Sequence, residues 1–404
     1  MRTRLLLALV TVMFAAGQSK TQTRTISDAE VMRVHRSTLL IDTHNDVPSR
    51  TVEGFDLGSH TGSGHTDIAR LKEGGVGAQF FAVYVAASYV NGNRSADRTL
   101  QMIDTVRHDI VGRYPNDFVL TTTANGIEQA HQQGKIAALM GIEGGHAIED
   151  NVRLLRAYYD LGVRYMTLTH SNTNDWADSS GDIDDTKVKH HNGLTSFGKE
   201  IIREMNRLGM MVDISHVADK TFWDALESSK APIFASHSSC RALTRHARNM
   251  TDDMIVALAK KGGVVQVNFY CGFISQTFRD NDAADTKALD ARMAKETAGK
   301  NLSEPDRQIL SEKMRKEMKL SRATLADVVD HIDHIRKIAG IDAIGIGGDF
   351  DGVSCTPVGL DDVSKYPNLT RALLEKGYSA EDIRKIYGGN FLRVMRAVEA
   401  AAGK

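Results

Sequence analysis

The sequence predicts an α/β protein whose parallel strands close into a (β/α)8, TIM-type barrel. Two observations carry that prediction. Apolar, β-branched-rich runs alternate with helical patterns along the chain, as parallel strands joined by helical crossovers do. The residue types capable of chemistry then fall at the end of run after run, and only a barrel brings such ends to a single mouth. Size and composition agree. With 404 residues, 42% of them hydrophobic, and 34 glycines, the chain can bury a large core. Its net charge of -1 gives no basic surplus, which excludes nucleic acid as the expected partner. No self-similar period suggests a solenoid, so residues 18–404 are expected to form one barrel domain.

Taken in order, the chain opens with Arg2 and Arg4 before an apolar run from Leu5 to Ala16 and the small residues Ala15 and Gly17. That is the layout of a signal peptide over 1–17, and the run is shorter than the ~20 residues a membrane helix needs. The mature chain is therefore expected to be exported, periplasmic or extracellular, without a stable membrane anchor. Ser27 and Glu30 have capping-box spacing and open a short helix. The strand runs follow: Leu39 to Thr43, Val76 to Val85, Ile136 to Ile142, Val163 to Thr169, Met210 to Ser215, Pro232 to Ser236, Val264 to Tyr270 and Ala343 to Gly348. A further run, Phe118 to Thr122, has nothing catalytic in type after it and reads as a short strand on a loop; an open doubly wound sheet is the alternative fold. Residues 275–322 form a charged, mostly helical insertion, either a solvated pair or a cover for the site.

The first run ends in His44 and Asp46, the third in Glu143, the fourth in His170, the fifth in His216, the sixth in His237 and the last in Asp349. His44 and Asp46 are two apart, so on an extended strand they face the same way. Imidazole and carboxylate are the ligands of catalytic zinc, and no clustered cysteines point to a closed structural site. Glu143 can bridge two ions, with His44 and Asp46 completing one site and His216 and His237 the other. One such histidine is more often a satisfied core residue; five ligands of the right type on four strands are not explained that way.

These residues lie in segments that resemble the renal, or membrane, dipeptidase family: IDTHNDVP from Ile41, HTDIARLKEGGVGAQ from His65, GIEGGH from Gly141, YMTLTHS from Tyr165, VDISHV from Val212, ASHSS from Ala235 and GGDFDGV from Gly347. The resemblance spans nearly all of the mature chain. It implies a zinc-dependent dipeptidase on a metallohydrolase barrel, with two Zn2+ ions held by His44, Asp46, Glu143, His216 and His237 and a hydroxide bridging them. It further implies that His170 faces the substrate carbonyl, Asp349 handles protons, and Arg248 holds the substrate carboxylate. The expected partners are small dipeptides, and a homodimer is compatible with the sequence. The disulfide pattern and lipid-anchor signal of the mammalian enzymes are not reproduced.

Other features carry less. His65 and Asp67 repeat the His-x-Asp spacing, but Thr66 or Asp67 reads as the N-cap of the helical pattern from Ile68 to Glu73. His331 and His334 lack the H-E-x-x-H pattern and read as a half-exposed helix face. Asp175 to Asp185 reads as a solvated loop over the mouth, and His190 and His191 as surface residues. Arg241, Arg245 and Arg248 share a loop, and only the resemblance selects Arg248. Among Cys240, Cys271 and Cys355, a Cys240 to Cys271 bridge is one pairing open to the chain. The rival functions are another amide or lactone hydrolase of the same barrel superfamily, which usually carries His-x-His on its first strand, and a non-catalytic metal-binding protein.

Overall fold

Ser27 caps the first helix, Asp28–Arg36, by accepting from the Glu30 backbone N–H, as its spacing predicts. It stands near the start of the computed structural model, which describes residues 26–403; the leader read over 1–17 lies outside the described residues. Nine strands follow: β1 Leu40–Asn45, β2 Val76–Tyr84, β3 Phe118–Leu120, β4 Ile136–Glu143, β5 Val163–Thr167, β6 Met211–Asp213, β7 Phe234–Ser238, β8 Val264–Val267 and β9 Ile344–Ile346. All pair in parallel, in the order β2-β1-β9-β8-β7-β6-β5-β4, and β2 pairs with β4 to close the ring. The protein is an eight-stranded (β/α)8 barrel. The ninth run is a real strand outside that ring: β3 pairs with Ile136 to Ala138 of β4, and β5 takes over beside β4 from Met140 onward.

The strands are apolar on both faces because one face lines the barrel and the other meets helices. Inside, Phe80, Tyr165, Phe234 and Val264 are fully buried together with Phe391 of the C-terminal helix Asn390–Ala401. Phe391 stands 5.3 Å from Phe80 and 5.9 Å from Phe234, ring centre to ring centre, so this helix plugs the barrel floor. Gly141 is one point where the interior is tight. A Cβ there would lie 1.9 Å from the Tyr165 ring, so no other residue fits without moving it.

Several surface readings change. His331 is fully buried, not half-exposed: its Nδ1 accepts from the Cys240 N–H at 3.0 Å and its Nε2 donates to the Ile274 carbonyl at 3.1 Å. His334 pairs with Asp252. The stretch from Trp176 to Ser180 is buried rather than solvated, because the Asp178 carboxylate accepts from the His191 and Gly193 N–H groups and holds the loop down. His191 is tied in as well, donating to the Asn174 carbonyl. Asp67, as expected, caps the helix Ile68–Glu73.

The bridge forms between Cys271 and Cys355, and Cys240 is left as a buried thiol against His331. Cys271 follows β8 and Cys355 follows β9, so the bond staples together the two ends of the segment that carries the insertion. Titration of the denatured, unreduced chain should report one thiol of three cysteines. Replacing Cys271 and Cys355 together by alanine should lower the unfolding free energy, measured in denaturant, by about 2–4 kcal/mol, as is typical for a closed loop of tens of residues.

Candidate metal centre

His44, Asp46, Glu143, His170, His216, His237 and Asp349 do meet at the carboxyl ends of the strands. Strict strand alternation does not suffice to aim them. The β1 ladder shifts register between Asp42 and Asn45, and the β7 ladder between Ala235 and Ser238, the spans that hold His44 and His237. Irregularities of this kind turn side chains out of the regular pleat. His216 and Asp349 leave their strands with φ of 68° and 60°, in the left-handed region.

Glu143 is the hub. Its Oε2 lies 3.5 Å from His44 Nε2, while its Oε1 lies 3.0 Å from His216 Nε2, 3.2 Å from His237 Nε2 and 3.9 Å from His170 Nε2. The two oxygens thus serve two different sets of nitrogens. On the first side, Asp46 Oδ2 stands 3.2 Å from His44 Nε2; on the second, the His216 and His237 Nε2 atoms are 3.1 Å apart. Atoms sharing a tetrahedral ion at about 2.0–2.2 Å stand roughly 3.3–3.6 Å from one another. The donor set therefore fits two cations, one on each side of Glu143. His44 Nε2 and Asp46 Oδ2 are moreover buried without a hydrogen-bond partner, an arrangement that is costly unless a cation satisfies both.

The outer contacts aim each imidazole. His44 Nδ1 donates to the Tyr165 hydroxyl at 2.9 Å, which donates to the Thr43 carbonyl at 3.1 Å, so the Nε2 lone pair faces the site. His237 Nδ1 donates to Ser236 Oγ at 2.7 Å, and Ser236 donates to Asp213 at 2.6 Å. Ser180 holds the His216 carbonyl through its N–H at 2.8 Å and its hydroxyl at 2.9 Å. Second contacts of this kind fix tautomer and orientation. Sequence reasoning missed Tyr165, Ser236 and Asp213; the only signal was an acid on a strand three residues before His216.

Charge among the protein's own groups follows the same division. Burial works against a charged His44, but Tyr165, Glu143 and Asp46 outweigh it and hold that ring well above the ordinary imidazole value. Burial, with His170, His44 and Arg248 adding to it, holds His216 and His237 well below theirs. Burial would raise Glu143, yet His44, His170 and the imidazoles of His216 and His237 against it keep it well below the usual carboxylate range. Asp349 is pushed up to about 8, by burial first, against the pull of His44 and with repulsion from Asp46 and Glu143. Its Oδ2 accepts from Asn268 at 2.7 Å. Gly352 permits the close approach beside it, since a Cβ there would lie 2.3 Å from Asp46 Oδ2 and 2.5 Å from Asp349 Oδ1.

These groups open into a cavity of about 760 Å³. Its wall includes His170, Tyr84, Tyr270 and Phe273, with Ser303 and Gln308 of the insertion closing one side, so the insertion covers the site. Arg248 is buried close to His170 and His216, donating to Ser238 Oγ at 2.7 Å and to the His237 carbonyl at 2.9 Å, with Nε unpartnered. Arg241 is committed elsewhere, to a bidentate pair with Asp219. Arg248 is therefore the better placed of the two to offer free donors toward the metal side.

The sequence profile of the membrane dipeptidases, peptidase family M19, matches residues 28–404. The chain belongs to that family. It is a metallopeptidase that hydrolyses dipeptides. Among solved structures, the probable dipeptidase PvdM from Pseudomonas aeruginosa superposes with a TM-score of 0.75 at 25% identity, over 93% of this chain and 99% of that one. Dipeptidase AC, described as a metallo peptidase, superposes with a TM-score of 0.72 at 25% identity, over 91% and 100%. A metallo peptidase from Rhodobacter sphaeroides, liganded with a phosphinate mimic of the dipeptide L-Ala-D-Ala, shares the fold with a TM-score of 0.71 at 24% identity, over 89% and 99%.

Glu143→Gln should weaken metal binding by this dipeptidase, because a neutral amide replaces the carboxylate whose two oxygens face the two sets of imidazoles. Elemental analysis should find clearly less bound metal than in the wild type, and full occupancy at unchanged affinity would remove Glu143 from the bridging role.

Proposed function

We propose that this dipeptidase works with two zinc ions, one held by His44, Asp46 and Glu143 and the other by Glu143, His216 and His237. The observation that carries the reading is the division of the Glu143 oxygens between two sets of imidazoles. Ions held by these residues would supply a water activated for attack near neutral pH and would offset the charge that develops on the attacked carbonyl.

The chain's own groups supply the rest. His170 keeps one ring nitrogen toward Glu143 and its ring against Tyr84, 4.9 Å away between centres, so it stands at the rim where a substrate carbonyl would enter. Neutral because burial lowers its pKa, it can donate one hydrogen bond to the oxyanion without competing with the ions. Asp349, aimed by Asn268, takes the proton from the attacking water and delivers it to the leaving amine, a contribution typically worth about 10² to 10⁴ in rate. Arg248 would pair with the free α-carboxylate, which sets the scissile bond one residue away and so measures length. Export is proposed as well: the leader at 1–17 and the Cys271–Cys355 bond suit an oxidising compartment. No helix among the described residues is long and apolar enough to cross a membrane.

Asp349→Asn should abolish most turnover while leaving much of the metal in place, so that rate and metal content separate; turnover within tenfold of wild type would send the proton elsewhere.

Arg248→Ala should lower kcat/KM on dipeptides by about 10 to 150-fold, the equivalent of a charge-assisted bond of ~1.5 to 3 kcal/mol. A C-terminally amidated analogue, which lacks the carboxylate, should lose very little. Equal losses on acid and amide would make Arg248 a brace for its loop.

A further inference from the structure

The insertion does more than cover the cavity. Its second helix, Glu304–Glu317, sends one carboxylate into the protein: Glu312 is 5% exposed, although most of the helix is polar and partly in solvent. Glu312 Oε2 lies 2.5 Å from His65 Nε2, and Oε1 accepts from the Thr356 hydroxyl at 2.6 Å. His65, declined above as a metal ligand, is itself 3% exposed, and its other ring nitrogen, Nδ1, meets the backbone N–H of Asp351 at 2.8 Å.

That last contact decides the protonation of the ring. A backbone N–H can only donate, so Nδ1 must carry the lone pair, and the proton must sit on Nε2, where Glu312 accepts it. Without a carboxylate at Nε2, the imidazole would be free to carry its proton on Nδ1, facing the Asp351 N–H and breaking the contact. Asp351 is two residues from Asp349, in a turn closed by the Gly352 N–H on the Asp349 carbonyl at 3.2 Å, with both aspartates in the left-handed region at φ of 60° and 63°. The turn is held from the β1 side by the Asp349 N–H on the His44 carbonyl at 3.1 Å and the Asp46 N–H on the Phe350 carbonyl at 2.8 Å. Its far side is held by His65, whose own N–H donates to Asp351 Oδ1 at 3.0 Å, and by Arg50 on the same oxygen.

We infer that Glu312 is a positioning residue for the proton-transfer step: through the tautomer of His65 it fixes the turn that carries Asp349. It lies behind the cavity wall, so it acts without touching substrate. This inference rests on the proposed role of Asp349, and it assigns the insertion a part in the rate as well as in the shape of the site.

The test compares the zinc-loaded full chain with Glu312→Ala, Glu312→Gln and Arg292→Ala, the last of which removes only the exposed Arg292–Glu317 pair between the two insertion helices. Backbone hydrogen exchange of segment 349–354 should quicken in Glu312→Ala, while kcat falls about 10- to 100-fold, the usual effect of removing an outer contact, with KM within about twofold and metal content unchanged. Glu312→Gln keeps a carbonyl oxygen for His65 and should recover part of both. Should the alanine variant not fold, the same two readouts on Glu312→Gln decide. Arg292→Ala should match wild type. If exchange quickens only within Glu304–Glu317 and kcat holds, Glu312 merely anchors the insertion and the inference is overturned. If the wild type cleaves no dipeptide, the functional reading fails, and exchange of 349–354 alone decides whether Glu312 holds the turn.

Discussion

Three carboxylates, Glu143, Asp46 and Asp349, lie almost out of solvent within a few ångströms of one another, and the barrel is arranged around the need to keep them there. Burying like charges together is tolerable only if something cationic is shared among them. The protein's own groups compensate them only in part. His44 is held toward its charged form and Asp349 toward its neutral one, so protons stand where the donor geometry fits two divalent ions. The rest of the mouth can be read from that constraint. Tyr165 and Ser236 occupy the outer nitrogens of His44 and His237 and leave the inner ones free. Gly352 keeps the space between Asp46 and Asp349 clear, and Gly141 admits the Tyr165 ring beneath the site.

Much of this was legible in the sequence because a barrel converts order along the chain into position in space. His44 and Asp349 are separated by most of the protein, yet each ends a strand, and β1 pairs directly with β9 at Asp42 and Ile346. The eight strands were readable as apolar runs, with bounds off by a few residues where backbone leaves the ladder early, as after Val267. Less legible was whatever depends on a partner far away in sequence. His331 looks amphipathic by position but is buried because Cys240 and Ile274 fill its two nitrogens. The cysteine pairing was open for the same reason: only the folded chain shows that the loops after β8 and β9 are neighbours.

The insertion illustrates a second limit. Its charge pattern is what a solvated helical pair needs, and one face of it is solvated. Glu312 differs from its neighbours in no local feature of sequence; its meaning comes from His65, in a segment that spacing had marked for an N-cap alone. Asp67 does cap that helix, and His65, two residues earlier, looks the other way, toward the Asp349 turn.

The seam of the barrel has a consequence for how the protein comes into being. Its first strand stands between β2 and β9, and the floor is plugged by the helix Asn390–Ala401, which follows all nine strands in the chain. His44 and Asp46 therefore cannot reach the geometry described until Asp349 has been synthesised, nor can the floor close until the helix Asn390–Ala401 has followed. A fragment that stops short of Asp349 lacks one wall of this mouth, so any metal it takes up there must await the folding of the closed barrel.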